Sequence, residues 1–198
     1  IDHFEWSAIA SPQYVNASFP VTLTARDYYN ETVADYVGTV NLSGTPGGLA
    51  TNTILGDFFS TSFSTGNYTF GYAFTPATNV IVTHVRTYFG TKVTIWTDTG
   101  SVLVSQSVAS SPGNWVETPL PSPVVLQAGT RYRLGVYTGG NLGSYYWRSD
   151  GVSAFPYGTI NFSLENSGDN FLSGSDDGQR WWLVDLKYVV GDTTLIPI

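Results

Sequence analysis

Residues 92–108 read KVTIWTDTGSVLVSQSV, and their reading decides the fold class. Two arms rich in Val, Ile and Thr flank Asp98, Thr99 and Gly100, residue types that suit a tight turn, so the stretch predicts a β-hairpin. Upstream, NYTFGYAF (67–74) sets Tyr68, Phe70, Tyr72 and Phe74 on one side and Thr69, Gly71 and Ala73 on the other, the period of a strand with one buried face. TNVIVTHVRTYFG (78–90) continues the sheet, and NWVETPL, PVVLQAGTRYRLGVY and RWWLVDLKYVV (180–190) add further strands. No segment sustains a 3.6-residue period. From about residue 54 the spacing gives roughly seven to nine strands, which predicts an all-β chain folded as a two-sheet antiparallel β-sandwich of jelly-roll type.

Ahead of the hairpin region, FPVTLTARD (19–27) alternates Phe19, Val21, Leu23 and Ala25 against Pro20, Thr22, Thr24 and Arg26, and YVGTVNLSG (36–44) reads as another strand. Between these strands and the sandwich lies SGTPGGLATNT (43–53), the richest Gly/Pro/Thr stretch and the best boundary. The chain therefore divides into residues 1–50, a small set of strands that would be marginal alone, and residues 51–198, the sandwich.

Composition narrows the partners. Charged residues make up 12% of the chain, about half the usual share, and 15 acids against 8 bases give a net charge of −7. That balance opposes a nucleic-acid backbone and anionic lipid alike. With no cysteine there is neither a disulfide framework nor a cysteine metal site. No apolar run approaches the roughly 20 residues that span a bilayer, and the opening IDHFEWSAIASP lacks a charged n-region and an h-region, so the chain reads as a piece of something longer. Sequons at Asn16, Asn30, Asn41, Asn67 and Asn161 are expected by chance where Asn, Ser and Thr are this common.

Two stretches carry resemblances. FEWSAIASPQYVNASFPVTLTARDYYNETVADYVGTVNLSG resembles the first half of the immunoglobulin-like repeats of large bacterial surface proteins, with the second half missing. From about Phe58 to Tyr188 the chain is similar to bacterial β-sandwich domains of the DUF4082 kind, through the motifs at Gly71–Phe74, Val82–Tyr88, Lys92–Gly100, Pro112–Glu117 and Leu126–Tyr137. Such domains ride beside polysaccharide-active modules. The resemblance implies a secreted or surface-attached bacterial protein that binds carbohydrate.

Strand parity picks the candidate site. In THVRTYF, His84, Arg86 and Tyr88 share a face opposite Val85, Thr87 and Phe89; in TRYRLGVYT, Arg131, Arg133 and Tyr137 oppose Tyr132, Leu134 and Val136; in SYYWRSD, Tyr146, Arg148 and Asp150 oppose Tyr145 and Trp147. Were those strands neighbours, Arg86, Tyr88, Arg133, Tyr137, Tyr146, Arg148 and Asp150 would form one polar and aromatic platform. A pyranose suits it, since its C–H face stacks on a ring and its hydroxyls take the planar donors and acceptors of Arg and Asp. The plainer reading pairs the arginines with Asp150, Glu165 or Asp185 on a solvated sheet face.

The tryptophans divide by the same rule. Trp182 joins Val184, Leu186 and Tyr188 in a core stripe, whereas Trp181 shares a face with Leu183, Asp185 and Lys187 that is expected to meet solvent, which makes it a candidate platform. Trp147 is core by parity, yet it follows the glycine-rich TGGNLG and could project from a strand end as a ligand contact. Trp96 and Trp115 border turns, as rim contacts or as packing across strands.

Asp169, Asp176 and Asp177, in a loop of Gly and Ser, are the candidate ligands of a structural Ca²⁺, with a solvated loop as the alternative; no other cofactor is expected. Catalysis finds no support: His3 and His84 are isolated, Glu5 and Glu31 fall in the N-terminal part, and nucleophile-elbow, dinucleotide and phosphate-loop patterns are absent. The expected protein is a monomeric, non-catalytic carbohydrate-binding module whose partners are a polysaccharide or glycan and the neighbouring modules of a longer chain. It is not expected to bind nucleic acid or to insert into a membrane. The rival reading is a structural or adhesive spacer whose aromatics only fill cores.

Overall fold

In a computed structural model of the chain, residues 1–8, 20–40, 50–60, 62–150, 153–175 and 180–190 are described. Their strands are β1 His3–Trp6, β2 Leu23–Arg26, β3 Thr51–Thr53, β4 Phe63–Thr65, β5 Tyr68–Pro76, β6 Val80–Thr87, β7 Lys92–Thr97, β8 Val102–Ser107, β9 Val116–Leu126, β10 Tyr132–Tyr137, β11 Ser144–Arg148, β12 Ala154–Phe155, β13 Gly158–Ser167, β14 Gly174–Ser175, β15 Trp181–Trp182 and β16 Val184–Val190. There is no helix among the described residues. Every strand pairing among them is antiparallel. Two compact units are distinguished, one within residues 1–48 and the other spanning 49–193.

In the first unit β1 pairs with β2, Phe4 opposite Ala25. Arg26 holds Glu5 at 2.7 Å, and the turn after β2 closes where Asp27 Oδ1 accepts the backbone N–H groups of Tyr29 and Glu31. The strand expected at 36–44 does not form over residues 36–40; 41–44 lie outside the described residues.

The second unit is a β-sandwich. One layer has the order β12-β13-β5-β10-β7-β8, with β14 added on β13; the other contains β3-β16-β6-β9 and β15-β11-β4. Leu183 alone separates β15 from β16, and its N–H donates to Tyr146 O of β11, which links these two sheets. Alternation in β5 drives the packing: Phe70 and Tyr72 face inward toward Trp182 and Val184, and the Tyr72 hydroxyl donates to Val184 O across the layers at 2.9 Å. The opposite face of β5 carries Ala73, which packs with Trp96, Leu164 and Leu172 in a smaller second core. Gly71 is required by its partner strand. A Cβ there would stand 1.8 Å from Leu134 O. The hairpin read from 92–108 is β7 and β8, turned at Gly100 with φ of +100°.

Two strand readings differ from expectation. NWVETPL and PVVL belong to one strand, β9, which carries Pro119, Pro121 and Pro123 because, among the described residues, it lies at the edge of its sheet and pairs with β6 alone, where proline's missing N–H costs no ladder bond. Asp185 does not meet solvent. It is fully buried in β16 because the segment 54–58 crosses the outer face of that strand.

Candidate functional site

The three arginines expected on one platform stand on three groups of strands. Arg86 is in β6, Arg133 in β10 and Arg148 in β11, which belong to the four-stranded, seven-stranded and three-stranded sheets in turn. Strand parity gave each its face, but sheet membership depends on pairings distant in sequence, and the common surface does not form.

Arg86 is buried. Its Nη1 donates to Asp185 Oδ2 at 2.9 Å and to Gly56 O at 3.0 Å, its Nη2 donates to Asp57 Oδ1 at 2.7 Å, and its guanidinium lies 4.8 Å from the centre of the Trp115 ring. Nε, 3.3 Å from Glu117 Oε1, is too poorly aligned to make a hydrogen bond. Burial pushes the Asp185 carboxyl up to about 7 against the opposing pull of Arg86 and of the backbone N–H groups of Ile54 and Leu186. A hydrogen bond from Lys187 holds Glu117 below its ordinary value. Tyr88, expected at the surface, is also buried, edge-on to Trp115 and Tyr146.

Arg133 sits over the Phe171 ring and pairs with Asp98 at 2.9 Å, which also pairs with Arg131; hydrogen bonds from Arg131, then Arg133, lower the Asp98 carboxyl. Tyr137 donates to Asn67 Oδ1 at 2.9 Å. Tyr146 packs inward against Tyr88 and Phe89, and Trp181 is half-buried against the core rather than standing free. Of the plainer pairings, Arg148–Asp150 and Arg86–Asp185 form, the second of them buried rather than solvated; Arg133 takes Asp98. Asp169 meets Lys92, while Asp176 and Asp177 lie outside the described residues.

One part of the expected site stays together. Trp147, Arg148, Ser149 and Asp150 line one wall of an open cleft of about 230 Å³, and Phe59, Ser60 and Ser62 line the other. Arg148 grips Asp150 with Nε and Nη2, Nε at 2.7 Å from Oδ1, a two-point planar pair that lowers the carboxyl and raises the guanidinium. Its guanidinium rests 4.7 Å from the centre of the Phe58 ring. The Ser60 hydroxyl donates to Trp147 O and ties the two walls together. Phe59 is 70% exposed, and Phe63, 62% exposed, stacks on Tyr146 with centroids 5.7 Å apart.

A larger groove of about 410 Å³ lies between Thr51–Gly56 and Ala154–Pro156. It has no charged side chain, and its one aromatic ring, Phe155, is buried. The smaller cleft has both the exposed ring and the directional polar groups that a ligand needs.

Phe59, Ser60, Ser62 and Phe63 were not anticipated. Their signal is DFFSTSF (57–63), where aromatics stand among Ser and Thr without strand alternation, a pattern that a single folded core does not require.

Fold and cleft together define an antiparallel β-sandwich domain with a shallow polar and aromatic recess at one end of a sheet. The chain matches the family described as a domain of unknown function, DUF4082, over residues 56–172, more than half its length, and belongs to it. Both walls of the cleft fall inside the matched region. No curated protein matches the chain.

Proposed function

We propose that the chain is a non-catalytic carbohydrate-binding module of a secreted or cell-surface bacterial protein, and that the Arg148 cleft takes a polysaccharide. The observation that carries this is the Arg148–Asp150 pair standing beside the exposed ring of Phe59 in an open recess. A sugar's apolar face can lie on Phe59 while its hydroxyls bond to Asp150, Ser62 and the remaining N–H groups of Arg148. Because Asp150 already balances Arg148, and the chain is acidic overall, a neutral sugar fits better than an acidic one. Few groups are buried at such a recess, so affinity is weak for one site and rises with several.

A structural or adhesive spacer is the second reading, favoured by the ion pairs that Arg86, Arg133 and Arg148 each make within the chain. Affinity electrophoresis in gels containing mixed-linkage β-glucan, xylan or galactomannan separates the two. Retardation of the wild-type chain, with about tenfold weaker binding in Phe59→Ala and Arg148→Ala at an unchanged thermal midpoint, supports the cleft. Equal retardation of both variants removes it, and no retardation in any gel favours the spacer.

A further inference from the structure

A buried ion pair is a poor way to stabilise a fold, since removing two charges from water costs several kcal/mol per ion before their attraction repays it. Arg86 and Asp185 are such a pair, and the candidate ligand contacts include neither. What they hold is one wall of the cleft. Residues 54–60 lie outside any strand, so backbone bonding to a neighbouring strand does not fix their path. Instead Asp185 Oδ1 accepts the Ile54 N–H at 2.8 Å, Arg86 donates to Gly56 O and Asp57, and Trp115, beneath the Arg86 guanidinium, donates its Nε1–H to Phe58 O at 2.6 Å. The next two residues are Phe59 and Ser60, which line the cleft.

We infer that Arg86 is a positioning residue for the cleft: with Asp185, Asp57 and Trp115 it clamps the segment 54–60 against the outer face of β6 and β16, and so sets where Phe59 and Ser60 meet Trp147 and Arg148. This rests on the reading of the cleft as the ligand site. Hydrophobic anchoring alone does not do it. Ile54 and Leu55 are buried in the core and Phe58 packs against it, but between them Asp57 has 90% of its side chain exposed while its carboxylate reaches back to the buried guanidinium. A backbone carbonyl and a carboxylate at one guanidinium fix direction as well as distance, which apolar contact does not.

Arg86→Ala leaves the buried Asp185 carboxyl without its partner and is expected to unfold the chain, so the test uses Asp57→Ala and Trp115→Phe, which remove clamp groups outside the cleft lining. Amide hydrogen exchange over residues 54–60 is measured on the full chain without ligand, and the same variants are run in the three polysaccharide gels. Expected are about tenfold faster exchange in that segment, exchange elsewhere in the sandwich within about twofold of wild type, and about fivefold weaker retardation, with Asp57→Glu recovering part of both. Unchanged exchange in both variants overturns the clamp whatever the ligand. Faster exchange with unchanged retardation overturns the positioning role. Faster exchange in a protein that no gel retards removes the carbohydrate reading and sustains the clamp.

Discussion

Asp185 is fully buried, and its carboxyl, raised from an ordinary 3.8 to about 7, makes the native state the better proton binder across that interval. The unfolded chain has lost this proton by about pH 5, whereas the folded chain keeps it to about pH 7, so this group's contribution to stability is largest below its unfolded value and falls as pH rises through the window. The groups facing it are Arg86, Tyr72 and Tyr188, while Asp57 and Glu117 meet other atoms of the Arg86 guanidinium. Asp98, Glu117 and Asp150 act with the opposite sign, because their carboxyls are lowered and their contributions vanish only as pH falls below about 4. The thermal midpoint is therefore expected to drop between about pH 5 and pH 7 in the wild-type chain. Asp185→Asn should lower the midpoint overall and flatten that slope; a slope as steep as the wild type's in calorimetric scans would remove Asp185 as its source.

At the scale of elements, segments outside the ladders depend on a few large side chains. Residues 168–173 are held to the outer face of β5, β10 and β7 by Leu172, fully buried with Ala73, Trp96 and Leu164, and by Phe171 against Arg133. Asn166 reaches Phe171 O at 2.8 Å, and Arg133 donates to Leu172 O. Leu172→Ala empties that small core and should cost about 2–5 kcal/mol, read as a shift in the denaturant midpoint. Because Arg148 belongs to another sheet, retardation by polysaccharide should survive it.

β5, the β7–β8 hairpin and the Trp182, Val184, Leu186 stripe were readable because side chains alternate with period two and one face meets the main core. Arg86 and Asp185 were misplaced because parity tells which face a residue takes and not whether a segment far upstream covers that face. Trp147, Arg148 and Asp150 lie together as expected because their grouping is local to one strand end. Their opposite wall, Phe59 to Ser62, is nearly ninety positions upstream, and no local period announces that approach.

For the whole molecule, the cleft, both cores and the Arg86 clamp all belong to the unit spanning residues 49–193, and the first unit's contacts include the β1–β2 ladder, Glu5–Arg26 and the Phe4–Tyr36 ring pair. A domain of this length buries enough apolar surface to fold by itself, whereas the two-stranded ladder among the first unit's described residues is marginal alone. A fragment beginning at Leu49 is therefore expected to melt in one cooperative transition within a few degrees of the main transition of the full chain, and to be retarded equally in each polysaccharide gel. Residues 1–48 expressed alone should show no cooperative melt. If the fragment from Leu49 instead loses its transition while the full chain keeps one, the first unit supplies stability that the core residues do not, and the division of labour between the two units fails.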